Sequence, residues 1–267
     1  MKARGHEGIH LTGHLLRLTF MSPVFYLAIL GIFLTALLPA WPDIRMEYEV
    51  DVRDVLYLFQ FPFDVTSFSR ITPLLAAMTA AAGFAADYNS RAVQSMISRM
   101  KTAQYTASRF IICAASGFLT VLLGWLLYIG VLSFFFPVVN LDGANYEAYC
   151  SRLYGVLLYR GYPILYMLAQ ITGLALAGAL WASVGMVASA FLPNRYFAVA
   201  IPFLINGVLY NLTSDLHWWF SPSNVGKGMQ IGNDLTSFLV MLGYFFGLLL
   251  LSYSIFHVGA RRRIHHA

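Results

Sequence analysis

Six long apolar runs, parted by polar segments, organise this chain. They cover Val24–Trp41, Ile71–Ala86, Phe110–Phe136, Tyr162–Leu192, Phe197–Leu212 and Leu235–Val258. About 20 apolar residues carry a helix through the hydrocarbon core of a bilayer. Lipid offers no hydrogen-bonding partner, so only helices and closed barrels cross it. These runs lack the roughly ten-residue alternation of barrel strands. The pattern therefore predicts an all-α polytopic membrane protein with six transmembrane helices, approximately 24–41, 71–86, 110–136, 162–192, 197–212 and 235–258. The second and fifth runs are short and borrow flanking residues; the fourth is long enough to tilt. The first follows a long lead and has no small-residue cleavage pattern before Trp41-Pro42, so it reads as a retained helix.

The segment ahead of the first run mixes apolar and polar positions. Ile9, Leu15, Leu16, Leu18 and Phe20 suit lipid, while Arg17 suits water. Residues 1–23 thus read as an interfacial helix, followed by a membrane domain over 24–259 and a basic tail over 260–267. Pro23 opens the first crossing, where its missing N–H costs little. His6, His10 and His14 recur every four residues and would share a helix face. With no carboxylate or cysteine fixed beside them, they read as wet-side polar residues, and no metal site is assigned.

The connections on one side are longer. In Met46–Arg53 charged and apolar residues alternate, which predicts a short strand or extended edge. Val55–Phe63 is apolar and aromatic and is expected to rest on the membrane surface. The acids Asp43, Glu47, Glu49, Asp51 and Asp54 read as a solvated face. Tyr146, Tyr149, Tyr154 and Tyr159 suit an interfacial aromatic belt, as do Trp218 and Trp219. Asn211-Leu-Thr213 matches a glycosylation sequon but lies at the membrane edge and reads as chance.

Composition supports the membrane reading. The chain is 59% hydrophobic and 11% charged, whereas soluble domains carry about 25% charged residues. Charge also orients it. The side holding the amino terminus, 87–109, 193–196 and the carboxyl tail carries eleven of the seventeen Lys and Arg but two of the twelve acids. Positive charge on short loops stays cytoplasmic, so both termini are expected there, with Arg261-Arg262-Arg263 as the final anchor. The basic residues are spread over membrane-flanking loops with no recognition motif, which argues against nucleic acid as a partner. Cys113 and Cys150 fall in a span and an opposite-side loop, so two free thiols are expected.

Energy coupling is read from what the spans contain. Small residues dominate the second (Ala76 to Ala86) and recur at Ala175, Ala179 and Ser183 in the fourth, the spacing that lets helices approach closely. No charged residue lies at the centre of a run, where a proton-coupled transporter would place one. Neither charged rings nor a carbonyl filter points to a channel. There is no G-x-x-x-x-G-K-[ST] motif; Gly226-Lys227-Gly228 lacks its context. The chain is not expected to hydrolyse ATP or to be an enzyme, and no catalytic residue or cofactor is assigned to it.

The segment after the second run carries the most information. It passes from Phe84 through Asp87 to Arg91, then Val93, Met96, Ile97, Ser98 and Arg99, then Lys101, Tyr105 and Arg109. An acid ends the span, an amphipathic basic stretch follows, and a basic–aromatic return enters the third. This resembles the cytoplasmic loop of ABC-2 type permeases, the transmembrane subunits of ATP-driven exporters. Arg91 stands where that family often has Gly, and Ala86 where a second acid is common. The resemblance implies that a short helix here docks on a separate ATPase subunit, which binds ATP and Mg. Asp87, Arg91, Val93, Met96, Ile97, Arg99, Lys101 and Tyr105 would be the coupling residues, with Val93, Met96 and Ile97 facing the ATPase. It implies a second permease copy or homologue and membrane lipid as partners, and an amphiphilic substrate: a peptide, antibiotic or lipid. It implies a pathway lined by spans two and five, with Thr79, Phe84, Asn206 and Tyr210 as candidates, in a bacterial plasma membrane. The alternative is a non-transporting membrane interaction or assembly protein; a lipid-directed enzyme ranks last, because Asp87 stands alone near a span end.

Overall fold

The computed structural model describes residues 2–45, 53–64, 66–141, 146–212, 220–228 and 230–265; of 2–10, 63–64 and 66–69 it describes the backbone alone. The described residues are helical, with turns between and no strand among them. The expected edge over 46–52 and the Trp218-Trp219 anchor lie outside them, as do the side chains of His6 and His10.

Helix α1 (Lys2–Phe20) leads into α2 (Pro23–Arg45), then α3 (Val55–Asp64), α4 (Thr66–Met78), α5 (Gly83–Asn89) and α6 (Ala92–Arg99). Then come α7 (Thr102–Leu132), the short α8 (Tyr146–Cys150) and α9 (Gly155–Tyr159), α10 (Pro163–Phe191), α11 (Arg195–Leu212), α12 (Pro222–Lys227) and α13 (Asp234–His265). Five of them, α2, α7, α10, α11 and α13, are long and apolar enough to cross a membrane. They coincide with five of the six predicted runs. The chain is thus an all-α polytopic membrane protein.

The second run departs from expectation. Ile71–Ala86 is not one helix: α4 ends at Met78, residues 79–82 form a turn, and α5 begins at Gly83. At the break Gly83 N–H bonds the Ala80 carbonyl (2.9 Å), a tightened spacing. The Thr79 hydroxyl bonds the Ala76 carbonyl (3.0 Å) and pairs with Ser116 of α7 (2.9 Å). A hydroxyl that takes a carbonyl of the preceding turn competes with the backbone ladder and bends a helix. Hydropathy cannot register this. The carboxyl end also differs, since α13 continues through the basic cluster to His265 rather than giving way to a tail.

Helix α10 is the central post. Of its most apolar window, 78% is buried, against 11% for α13, which leaves most of its surface for lipid. Helices α7, α13, α11, α4 and α12 all pack on it. Small residues make this possible. A Cβ on Gly117 would lie 2.6 Å from the Gly178 carbonyl oxygen, and one on Gly173 would lie 2.4 Å from that of Gly226. Ala175, Ala179 and Ser183 are buried, so the small-residue stripe serves packing within the chain. Pro202 of α11 meets the same post at Gly185. Cys113 and Cys150 are free thiols.

Val55–Phe63 also differs from expectation. It does not rest on a surface. Val55, Leu56, Leu58 and Phe59 of α3 are fully buried, in a cluster with Trp125, Tyr128 and Tyr166. Asp54 caps this helix, accepting the Tyr57 N–H (2.6 Å) and the Asn140 N–H (2.8 Å). Burial pushes the Asp54 carboxyl above the usual carboxylate range, and the two N–H groups oppose that rise. At the other end of the bundle α1 packs on α7 and α6. Its Leu15 is buried against the fold, while Leu16 and Leu18 face outward.

Candidate functional site

The segment 84–109 is built around a buried acid. Asp87, in the last turn of α5, is 8% exposed. The Tyr105 hydroxyl donates to its Oδ2 at 2.7 Å, and the Arg109 guanidinium forms an ion pair with the same oxygen. Both partners lie in the first two turns of α7, which starts earlier than the hydropathy predicts. Asp87 and Tyr105, two of the candidate coupling residues, are thus brought together, a pairing the sequence reading does not contain, and the clamp ties α5 to α7. A charge held this deep requires a partner, because an unpaired buried ion costs several kcal/mol. Gly83 leaves room for it: a Cβ there would lie 3.2 Å from an Arg109 nitrogen.

Between these helices the chain turns at Arg91, whose φ of 58° and ψ of 12° place it in the left-handed region. Glycine occupies that region without steric cost, whereas other residues pay about 1–2 kcal/mol. Helix α6 follows and ends at Met100, which is extended. Arg91, Gln94, Ser95, Ser98, Arg99 and Lys101 are exposed.

The apolar face of α6 is a correction to the sequence reading. Val93 is 4% exposed and belongs to a cluster with Phe84, Tyr105 and Phe256; Met96 and Ile97 pack against it. Val93 faces inward, and Met96 and Ile97 are half-buried against the same cluster. Amphipathicity shows that a helix has a buried face but not whose surface buries it. The face left for a partner is polar and basic. Beside it is a cavity of about 450 Å³ lined by Tyr88, Asn89, Arg91, Val93, Gln94 and Ile264.

The end of α13 closes this region. Arg263 donates from Nε to the Ala190 carbonyl (3.1 Å) and from Nη2 to the Phe191 carbonyl. It thereby satisfies the last carbonyls of α10, a role in the fold that the anchor reading missed. Asn89 donates to the Pro193 carbonyl at 2.9 Å, and Thr106 Oγ1 pairs with His257 Nδ1 at 2.8 Å.

The candidate pathway residues do not form one surface. Phe84 is fully buried, edge-on to Phe256 at 5.6 Å. Asn206 is 1% exposed and accepts from Ser223 (2.7 Å), which accepts from Trp181 Nε1 (3.2 Å). That chain stitches α11, α12 and α10 together. Thr79 marks the α4–α5 break, and Tyr210 lies under the Arg70 guanidinium at 4.7 Å. Phe84 and Asn206 are corrected from pathway wall to interior. Phe84 has its aromatic partner within the fold, and the Asn206 amide finds its hydrogen bonds there.

One polar network escaped the sequence reading. Gln60 of α3 donates to the Tyr166 hydroxyl (2.8 Å) and to Gln170 Oε1 (3.0 Å), and its own Oε1 accepts from Arg152 (3.2 Å). The signal was available. Asp54 followed by apolar residues at 55, 56, 58 and 59 is an N-cap before a helix face. Among the described residues no three His, Cys, Asp or Glu side chains group to hold a metal ion.

No protein-family model, no curated protein and no solved structure matches this chain.

Proposed function

We propose that this chain is the permease subunit of an ATP-driven exporter of the ABC-2 type, moving an amphiphilic substrate with energy from separate ATPase subunits. In this reading α4 and α5 together make the sixth crossing, both termini are cytoplasmic, and a second permease completes the pathway. The observation that carries the reading is the mounting of α6. It is a short surface helix between a left-handed turn at Arg91 and an extended Met100. The Asp87–Arg109 clamp joins the element before it to the helix after it. Such a helix transmits a push to α5 and α7 rather than absorbing it. The left-handed Arg91 also supports the resemblance, since it stands where the family often has Gly.

The ATPase would meet the outer face of α6, with Arg91, Arg99 and Lys101 opposite acids and Gln94 at the cavity mouth. Two ATPase states that bind this face unequally bias the permease between two arrangements.

The test is purification of the tagged chain in detergent from its own host, with identification of co-purifying P-loop ATPases. Arg91→Glu with Arg99→Glu reverses the exposed charge and is expected to release the ATPase while the chain stays folded. Aspartate at Met96 and Ile97 would disrupt the α6 packing instead and is a poorer probe. A chain that brings down no P-loop ATPase, or keeps it through the charge reversal, removes this reading.

A further inference from the structure

At the end of the bundle opposite the basic loops, a cavity of about 340 Å³ lies between α9, α10 and α13. Leu157, Ala169, Leu235 and Phe238 give it apolar walls, and Tyr154 and Asp234 supply its polar atoms. Tyr154 is 4% exposed, yet its hydroxyl has no hydrogen-bond partner among the described residues. Asp234 Oδ2, in the first turn of α13, is buried and equally unpartnered. Buried polar atoms are nearly always bonded, so two orphans in one cavity call for an occupant.

The two groups form a prepared pair. Tyr154 is held in the left-handed region (φ 66°) and edge-on to Phe238, with ring centroids 6.2 Å apart. Strained backbone of this kind clusters at binding sites. Tyr154 and Asp234 both line the one cavity, and no hydrogen bond joins them; burial, then the Asp234 carboxylate, pushes the Tyr154 hydroxyl up to about 12.

The chemistry of an occupant follows. An anion would meet the Asp234 carboxylate with no Lys or Arg among the lining residues. A bare divalent ion would find too few oxygen ligands. A wholly apolar molecule would leave both orphans unsatisfied. An ammonium group carries three donors, enough to bridge the carboxylate and the phenol. The aromatic and aliphatic walls take an attached apolar chain.

We propose that this cavity binds an ammonium group borne on an apolar chain, with Asp234 and Tyr154 as its recognising residues. The proposal stands whether or not an ATPase drives the protein. That chemistry occurs in a zwitterionic lipid headgroup and in a free cationic amphiphile.

The experiment is native mass spectrometry of the full chain in detergent. It is titrated separately with phosphatidylethanolamine, phosphatidylglycerol, decylammonium and decanol, with thermal unfolding as a folding control. One or both ammonium compounds should bind in preference to their non-ammonium counterparts. Affinity should fall about tenfold or more in Asp234→Asn and about tenfold in Tyr154→Phe, because each loses a hydrogen bond made with a charged group. Leu157→Trp, which fills the cavity and leaves both polar groups in place, should block binding. Preference for phosphatidylethanolamine assigns a lipid headgroup and preference for decylammonium a free amphiphile; either supports the proposal. Binding of decanol as tight as decylammonium, equal binding to folded Asp234→Asn, or no ammonium binding at all overturns it.

Discussion

Asp87 and Asp234 sit at opposite ends of the bundle, and their surroundings differ. Asp87 has a guanidinium and a phenol within bonding range. Asp234 lies beside a phenol with which it makes no hydrogen bond, and its Oδ2 is unpartnered. Each lies in a region with a non-glycine residue in left-handed backbone, Arg91 near one and Tyr154 near the other. One region is internally complete and behaves as a clamp. The other leaves two polar atoms without a hydrogen-bond partner among the described residues. A saturated buried charge contributes to the fold when its partner is kept, whereas an unsaturated one is available to a ligand.

The largest expected effect breaks the complete end. Asp87→Ala strands Arg109 in a buried site and should destabilise the chain by about 3–5 kcal/mol. Reversible unfolding in detergent measures this, and Arg109→Met added to Asp87→Ala should restore part of the loss. Tyr154→Gly comes next. It removes left-handed strain but also a buried ring packed on Phe238, for a net loss of about 3 kcal/mol by the same assay. Tyr105→Phe removes one hydrogen bond to Asp87 and should cost about 1–3 kcal/mol, as expected for a bond to a charged group. Arg91→Gly relieves strain with no buried side chain to lose, and should stabilise by about 0.5 kcal/mol once the added freedom of the unfolded chain is counted. The smallest effect is the sharpest contrast. Asp234→Asn should leave stability without ligand unchanged or slightly raised, because no partner is lost and an unpartnered charge is removed. A drop matching that of Asp87→Ala would erase the difference between the ends.

Much of the fold was legible because lipid imposes a length. Runs of about 20 apolar residues have few alternatives to a crossing helix, and α2, α10 and α11 keep close to the ends of their runs. The site was legible in part. Asp87 and Tyr105 are both candidates in the sequence, but their bond to each other is visible only in the fold. The face of α6 was misassigned, because Val93, Met96 and Ile97 form an apolar stripe whether their cover is another protein or Phe84, Tyr105 and Phe256 of the same chain. Val55–Phe63 was placed on the surface because a short aromatic run has no length signature. Its burial depends on Tyr128, Tyr166 and Trp125 from distant helices.

The linear order of residues thus determined that this is a bundle of membrane helices with a basic end, since hydropathy and charge act locally on each segment. Which helix stands at the centre, where the second run breaks, which way α6 turns and which acid is left without a partner were decided in three dimensions. Each depends on groups far apart in the chain, such as Thr79 with Ser116 or Asp87 with Arg109, meeting at distances that only the packed helices set.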